Sequence, residues 1–202
     1  MLDWDGTVTE HDTLSLVMER FGDIGLWGRT GRAMGHTMTH DEAIATSFRT
    51  VRAPLEEVLA WLLPRVRVRE GFAELVARHR PLVLSSGFHE LIEPVLAREG
   101  VGVDLLANHV EARPDGWRIA FRERGSCDVC GEACKRAALP PGDVVYVGDG
   151  YSDRCAALAA RRVFARGTLA EDLRARGVPY EPFDDLRDVA AALEPGDGGA
   201  GS

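Results

Sequence analysis

The sequence contains no run of about 20 apolar residues, the length that a membrane-spanning helix requires. It also lacks an excess of positive charge, because its 202 residues include 24 Lys and Arg against 32 Asp and Glu, for a formal net charge of −8. Proteins that bind nucleic acid depend on Lys and Arg to neutralise phosphates. We therefore expect neither a membrane partner nor a nucleic-acid partner, and the composition leaves the oligomeric state open.

Cysteine is scarce as well, with four in the chain and three of them between Cys127 and Cys134. This spacing is not that of a secreted disulfide framework. The first residues do not form a signal peptide, since acidic side chains begin at Asp3. We therefore expect a cytoplasmic protein. The Gly-rich tail at 195–202 is predicted to be disordered.

Apolar runs that are typical of strands alternate with helical segments in the second half of the chain. The strand candidates are 81–86, 143–149 and 162–165, and the helical segments are 88–100, 152–162, 168–177 and 184–194. This order predicts an α/β fold, a doubly wound, Rossmann-like parallel sheet with helices on both faces. Residues 110–121 are predicted to form a hairpin with its turn at 114–116.

A helical stretch interrupts this alternation after the first strand. Residues 13–68 contain helical patterns at 13–22, 40–48 and 54–63 and no convincing strand. We interpret 13–68 as a helical cap, and 1–12 together with 69–194 as the catalytic core. Only two residues precede Asp3, whereas a buried strand usually has about five or six. We therefore expect either a very short first strand or, as we prefer, a natural chain that starts upstream of Met1.

Polar residues follow three of these strands. They are Asp3, Asp5, Gly6 and Thr7 after the first strand, Ser85, Ser86 and Gly87 after the second, and Gly148, Asp149, Gly150, Ser152 and Asp153 after the third, with Lys135 upstream of that last strand. The carboxyl ends of parallel strands meet at one edge of the sheet. Carboxylate oxygens there suit Mg²⁺, a hydroxyl and an ammonium suit phosphate, and a carboxylate beside a metal can attack phosphorus.

Four of these segments match known motifs in order and spacing. The stretches "DWDGTVT", "LVLSSGF" and "VGDGYSD", with Lys135 between the last two, resemble the motifs of the haloacid dehalogenase superfamily of phosphohydrolases. The helical insert resembles the small cap of its phosphoserine-phosphatase-like branch. "SSGFHELIEPVL" and "CDVCGEACK" are similar to the group that includes 2-hydroxy-3-keto-5-methylthiopentenyl-1-phosphate, phosphocholine and pyridoxal-phosphate phosphatases.

The resemblance implies a Mg²⁺-dependent phosphatase of small phosphorylated metabolites that works through an aspartyl-phosphate. Asp3 would be the nucleophile, and Asp5 the general acid that later activates water. Mg²⁺ would be held by Asp3, Asp149 and the backbone carbonyl of Asp5.

The remaining motif residues have implied roles around the phosphoryl group. Ser85 and Lys135 would bind its oxygens, with Ser86 and Gly87 beside them. Asp153 and Thr7 would support the site.

Two alternatives stay open, a phosphotransferase of the same superfamily and a phospho-acceptor signalling module. A signalling module needs its phospho-aspartate to persist, so an acid–base residue at Asp5 argues against it. A metal-independent dehalogenase would not be expected to keep the pair of Asp5 and Asp149.

The cap is expected to select the substrate, because chemistry at the sheet edge touches only the phosphoryl group. Asp12, Phe48 and Arg49 are the candidates for contact with the leaving group. By resemblance, phosphoserine phosphatases carry a cap arginine where this chain has Thr46, so we expect that phosphoserine is not the substrate. Arg49 and Arg52, which lie one turn or more further along the chain, could substitute for that arginine.

Other residues have simpler interpretations. The segment "CDVCGEAC" could bind zinc or form a structural loop, and we favour the loop, because zinc needs four ligands and only Cys155 could complete the set. The histidines His11, His36 and His40 are expected to lie at the surface or to pack within the cap. Trp27, Met34 and Met38 could line a substrate pocket, and we favour packing within the cap for them.

Overall fold

The structure, a computed structural model, describes residues 1–122 and 125–194. The disorder predicted for 195–202 lies outside the described residues. The strands are β1 (Leu82–Phe88), β2 (Asp104–Glu111), β3 (Arg118–Ala120), β4 (Val145–Gly148), β5 (Arg162–Ala165) and β6 (Glu181–Pro182). The α-helices are α1 (Thr13–Phe21), α2 (Ile24–Ala33), α3 (His40–Phe48), α4 (Leu55–Leu62), α5 (Phe72–His79), α6 (His89–Glu99), α7 (Arg154–Ala157), α8 (Gly167–Ala175) and α9 (Leu186–Leu193).

One residue of the first segment joins two halves of the sheet. Leu2 pairs in parallel with Val83 of β1 on one side and with Val147 of β4 on the other. The strand order is therefore β3-β2-β1, then Leu2, then β4-β5-β6. Within this order of described strands, β2 and β3 pair antiparallel and the other neighbours pair in parallel. This arrangement confirms the predicted α/β parallel sheet. The first strand is as short as a single bridging residue, and an upstream extension stays a prediction.

The helices α1 to α4, called the cap below, follow the first segment. The segment that leads into the cap pairs with the segment that leads out of it. The backbone N–H of Glu10 donates to the carbonyl of Arg67 at 3.0 Å, and that of Arg69 donates to the carbonyl of Val8 at 2.7 Å. These two antiparallel connecting segments limit how the cap can turn relative to the sheet. None of the helices in the described part of the chain has the length and apolar character that crossing a bilayer requires.

A cluster of aromatic rings packs between the cap and the sheet. The ring of Phe48, at the end of α3, is fully buried. Its centroid lies 4.9 Å from that of Phe88 in an edge-on contact, and 6.1 Å from that of Trp117 in a stacked one. Since aromatic side chains bury large apolar areas, this cluster contributes much of the cohesion between cap and core.

Helix α2 is not among the predicted helices. Its sequence "IGLWGRTGRA" has three glycines, each of which costs a helix about 1 kcal/mol relative to alanine. The helix forms because Asp23 caps it, accepting from the N–H of Leu26 at 2.8 Å, and because the hydroxyls of Thr30 and Ser47 meet at 2.9 Å against α3. Tertiary contacts outweigh the weak local propensity.

The helix predicted at 152–162 is wrong in length. The structure has a 3₁₀ turn at Tyr151–Asp153 and then only the single turn of α7. The N–H groups of Ala159 and Ala160 donate to carbonyls three residues back, which tightens and ends the helix. Helix α5 and the short strand β6 are further elements that the sequence patterns did not predict.

Candidate active site

Three segments bring polar side chains to the carboxyl edge of the sheet. Asp3 follows the bridging residue Leu2, Ser85 lies in β1, and Asp149 follows β4. Asp3 is 5% exposed and Ser85 is 1% exposed. One carboxylate oxygen from each of Asp3, Asp149 and Asp153 lies within 4.8 Å of the others. The predicted cluster of carboxylates therefore forms.

Lys135 balances part of this negative charge. It begins the 3₁₀ turn Lys135–Ala138, is 2% exposed, and its ammonium contacts Oδ1 of Asp3 and, at 2.6 Å, Oδ1 of Asp153. Burial alone would lower the pKa of Lys135, but the charges of Asp153 and Asp3 outweigh it and raise that pKa. The side chain is therefore a buried cation at neutral pH, positioned beside Asp3.

Asp153 is held by hydrogen bonds on both oxygens. Besides Lys135, the hydroxyl of Tyr146 donates to Oδ1 at 2.7 Å. The N–H groups of Asp149 and Gly150 donate to Oδ2 at 3.0 and 2.9 Å. Burial would raise the pKa of Asp153, but Lys135 and these donors lower it. Asp153 is therefore an ionised residue that fixes Lys135 and the loop after β4.

Asp5 has a different environment from Asp3. Its Oδ1 accepts from the N–H of Thr13 at 2.8 Å and from the Thr13 hydroxyl at 2.5 Å, at the first residue of α1. Its Oδ2 faces Gly87, where an added Cβ would lie 3.0 Å away. Burial, and then the charge of Asp12, raise the pKa of Asp5 to about 7. Asp5 can therefore hold and release a proton near neutral pH.

Asp149 depends on the tight turn after Asp5. The hydroxyl of Thr7 donates to its Oδ1 at 2.8 Å. Gly6 has φ +78°, and an added Cβ would lie 2.2 Å from Oδ2 of Asp149, so only glycine fits there. Burial, and then the charge of Asp153, raise the pKa of Asp149 to about 6.

Arg69 supports this turn and was missed in the sequence. Its guanidinium donates from Nε to the carbonyl of Thr7 at 2.9 Å and from Nη2 to that of Gly6 at 3.1 Å. It also donates to the carbonyl of Asp184 at 3.0 Å. A lone arginine after the cap carries no motif, so its hold on the turn after Asp5 is visible in the folded chain but not in the sequence.

The second half of β1 supplies the hydroxyl side of the site. The Ser85 hydroxyl accepts from the N–H of Gly87 at 2.8 Å. The carbonyl of Ser86 accepts from the side chain of Asn108, which is fully buried, at 2.8 Å. Asn108 lies in β2, and it is a second positioning residue that the sequence analysis missed.

This geometry agrees with a family match along the chain. The model of a family described as haloacid dehalogenase-like hydrolase matches residues 1–158. The chain belongs to the haloacid dehalogenase-like hydrolases. The resemblance drawn from the four motifs is thereby confirmed, and so is the predicted enzyme class.

Among curated proteins, this hydrolase is similar to enzymes named 2-hydroxy-3-keto-5-methylthiopentenyl-1-phosphate phosphatase. The one from an Exiguobacterium species is 26% identical over 208 residues, covering 95% of each chain. The one from Geobacillus kaustophilus is 28% identical over 206 residues, covering 95% of this chain and 93% of the relative. Both matches therefore extend over nearly the full length of the two chains.

Solved structures of phosphoserine phosphatase share the fold. A phospho-aspartyl intermediate analogue superposes with a TM-score of 0.69 at 18% identity, covering 95% of this hydrolase and 96% of that chain. A substrate-bound complex superposes with a TM-score of 0.69 at 16% identity and the same coverage. At this identity the likeness establishes the α/β fold and leaves the substrate of this hydrolase open.

The family is associated with Mg²⁺, and the carboxylate cluster fits such an ion. Both oxygens of Asp153 already accept hydrogen bonds, so Asp3 and Asp149 are the carboxylates with ligand capacity. Burial, with Asp153 and Asp149 nearby, raises the pKa of Asp3 well above its ordinary range despite Lys135. A buried cluster with this much negative charge is stabilised by a hard dication with oxygen ligands.

A cavity of about 340 Å³ lies between the carboxylates and the cap. Asp3, Asp5, Ser86 and Asp149 line it from the core, while Asp12, Leu14, Trp27, Thr30, Met34, His40, Ala43 and Ile44 line it from the cap side. Tyr151 also lines it, and its hydroxyl reaches the cap at Gly35. The cap wall is therefore mostly apolar.

The three leaving-group candidates lie in different places. Asp12 lines the cavity. Phe48 is fully buried in the aromatic cluster and Arg49 is exposed after the end of α3, and the residues that line the cavity include neither of them. Contact of these residues with the leaving group stays a prediction. Trp27 and Met34 do line the cavity, although packing within the cap was the preferred expectation for both.

Proposed function

We propose that this hydrolase is a Mg²⁺-dependent phosphomonoesterase that cleaves a small phosphorylated metabolite through an aspartyl-phosphate on Asp3. The observation that carries the proposal is the pair of carboxylates on one cavity. Asp3 contacts a lysine that is buried and charged, whereas Asp5 has a pKa of about 7. One carboxylate suits nucleophilic attack and the other suits proton transfer.

In the first step, a carboxylate oxygen of Asp3 attacks phosphorus while Asp5 gives its proton to the leaving alcohol oxygen. Lys135 and the Ser85 hydroxyl orient and neutralise the phosphoryl oxygens. Mg²⁺, held by Asp3, Asp149 and the carbonyl of Asp5, would supply further charge neutralisation. In the second step, the ionised Asp5 takes a proton from water, which attacks the phosphorus, releases phosphate and restores Asp3.

Thr13 tunes the proton-transfer residue. Its N–H and hydroxyl both donate to one oxygen of Asp5, which leaves the other oxygen toward Gly87 and the cavity. Because Thr13 opens the first cap helix, the position of the cap is coupled to the orientation of this carboxyl group.

The substrate class follows from the cap wall. Among the described residues that line the cavity, none is Arg or Lys, so the leaving group meets no cation there. Leu14, Trp27 and Met34 offer apolar contacts instead. We infer an uncharged, partly apolar leaving group, and the substrate in the name of the relatives, 2-hydroxy-3-keto-5-methylthiopentenyl-1-phosphate, is the candidate of this type. A phosphoserine carboxylate would face Asp12 without a cation.

A screen of phosphate esters with the purified full chain and Mg²⁺ tests the proposal. We expect the highest kcat/KM for esters with uncharged, partly apolar leaving groups, and weak hydrolysis of phosphoserine. Acid-quenched protein should carry phosphate on Asp3, as located by mass spectrometry of peptides. Absence of hydrolysis for every ester with Mg²⁺ would refute the phosphatase assignment. Phosphoserine as the best substrate would refute only the substrate class.

A further inference from the structure

The four cysteines of the chain meet at one place beside the active site. Three of them, Cys127, Cys130 and Cys134, lie in the loop between β3 and the 3₁₀ turn Lys135–Ala138, and Cys155 lies in α7. We call these four residues the cysteine cluster. One Sγ from each lies within 4.8 Å of the other three, and all four are free thiols. The fourth ligand that the sequence left uncertain is therefore present, as Cys155.

The spacing of these sulfur atoms suits a tetrahedral metal. Zinc–sulfur bonds of about 2.3 Å put the sulfurs of a four-thiolate site about 3.8 Å apart. The cluster has to contract by at most about 1 Å to reach that spacing. Four thiolates in tetrahedral arrangement select zinc among common dications, whereas Mg²⁺ prefers oxygen.

The loop around the first two cysteines is folded as a tight turn. The N–H of Val129 donates to Sγ of Cys127 at 3.4 Å. Gly131, with φ +73°, turns the chain back, and its N–H donates to the carbonyl of Cys127 at 2.8 Å. The N–H of Cys127 donates to the carbonyl of Glu132 at 2.8 Å. A backbone N–H directed at sulfur supports a thiolate, and such bonds orient metal ligands.

We propose that the cysteine cluster binds one structural Zn²⁺ ion, which fastens the loop that carries Lys135 to α7. Lys135 directly follows Cys134, and Asp153 lies two residues before Cys155. Zinc would therefore join the segments that supply the buried pair of Lys135 and Asp153. The same loop reaches the cap, where a carboxylate oxygen of Glu132 accepts from the N–H of His40 at 3.1 Å.

Metal analysis of the full chain tests this site. Protein purified under reducing conditions and dialysed against metal-free buffer should carry about one zinc ion per chain. The Cys155→Ser variant should contain at least about tenfold less zinc than the wild type, because one of the four ligands is lost. Val129→Ser is the matched control, since it changes the same loop but keeps every thiol and the backbone donor, and it should retain zinc as the wild type does.

Three further measurements keep the proposal testable if Cys155→Ser fails to fold. Cobalt bound to wild-type protein should show the sulfur-to-metal charge-transfer absorption and the intense ligand-field bands of a tetrahedral thiolate site. The Asp149→Asn variant should keep the zinc, which separates this site from the carboxylates. Amides of the Cys127–Cys134 loop should exchange hydrogen faster once a thiol-blocking mercurial displaces the zinc.

Three results would overturn the zinc site. They are wild-type protein with no more zinc than Cys155→Ser, a cobalt spectrum without thiolate absorption, and freshly isolated metal-free protein whose mass shows two disulfides. None of these readouts requires phosphatase activity. A protein that binds zinc but hydrolyses no phosphate ester would refute the proposed function alone, and an active phosphatase without zinc would refute only this site.

Discussion

The two walls of the cavity are held by different forces. On the core wall, each carboxylate has a specific donor: Asp3 accepts from Lys135, Asp5 from Thr13, and Asp149 from Thr7. On the cap wall, Leu14, Trp27 and Met34 face the cavity with apolar surface. The core wall is fixed by directional hydrogen bonds, whereas the cap wall is shaped by packing between helices.

This difference separates the residues that carry out phosphoryl transfer from those that select the substrate. Directional bonds hold charged groups to within tenths of an ångström, as transfer of a phosphoryl group requires. Apolar packing tolerates changes of shape, and a methylene group in such a pocket alters selection by only about 1–3 kcal/mol. Changes to the core wall should therefore affect every substrate by large factors, and changes to the cap wall should affect chosen substrates by small ones.

The largest effect is expected from removing the nucleophile. Asp3→Asn should lower hydrolysis of p-nitrophenyl phosphate by more than about 10⁴-fold and abolish the phosphoenzyme, because an amide cannot form the acyl phosphate. Steady-state rates and phosphopeptide mapping measure both. The matched control is Asp143→Asn, an exposed carboxyl paired with Arg161, which should keep full activity. Near wild-type rates for Asp3→Asn would contradict the assignment.

Removal of Mg²⁺ should rank next. EDTA should reduce the rate by more than about 10³-fold, and added Mg²⁺ should restore it, since the ion would neutralise the phosphoryl oxygens beside Asp3 and Asp149. Rates in chelator with and without Mg²⁺ measure the effect. Zinc retained by the cysteine cluster should not substitute. Full activity in metal-free buffer would contradict the Mg²⁺ assignment.

Asp5→Asn should cost about 10²–10⁴-fold, which is typical of lost acid–base catalysis. Asp5 must carry a proton to donate it, and its pKa is about 7, so wild-type kcat/KM should fall as pH rises through that value. Titration of the substrate phosphate affects both proteins equally. The pH profile of Asp5→Asn should therefore lack the fall in kcat/KM that ionisation of Asp5 causes in the wild type. If that fall is unchanged in Asp5→Asn, it belongs to another group.

The same contrast explains what the sequence could predict. The core wall is built from short local motifs, in which Asp3 and Asp5 or Asp149 and Asp153 lie a few residues apart, so spacing alone located them. Lys135 was identified because it lies between the segments "LVLSSGF" and "VGDGYSD", where the resemblance to the family implies a lysine. Arg69 and Asn108 act through backbone carbonyls far along the chain and carry no local pattern.

The positions of the cap candidates could not be derived from the sequence for a geometric reason. Phe48 ends α3 and Arg49 follows it, and the direction of α3 is set by packing against α2 and β3. Helix α2 itself was hidden by its glycines, so the face that α3 turns to the cavity could not be derived. Without α2, the contribution of Trp27 and Met34 to the wall was also hidden.

Substitutions on the cap should give a smaller, selective effect. Met34→Ala should lower kcat/KM about tenfold for an ester with an apolar leaving group and little for acetyl phosphate, whose leaving group is too small to reach the wall. Arg49→Ala, in the same cap but outside the cavity, is the matched control and should change neither. Equal losses on both esters for Met34→Ala would remove Met34 from selection. A selective loss for Arg49→Ala would restore our first expectation.

The smallest expected effect concerns the stability of the metal-free core wall. Burial raises the pKa of Asp5 from an ordinary 3.8 to about 7, so between these values the folded state binds more protons than the unfolded state. The free energy of unfolding then decreases as pH rises through this window, because ionising Asp5 is harder in the folded chain. Asp5→Asn cannot ionise and escapes this cost. In EDTA, the Tm of Asp5→Asn minus that of wild type should therefore grow from pH 5.5 to pH 7.5, by about 2–4 °C for each kcal/mol. Calorimetry at both pH values measures it, with Asp143→Asn as the control that should show no such growth. A difference that stays constant between the two pH values would mean that Asp5 is ionised in the folded protein throughout this range, and would remove it as the proton donor.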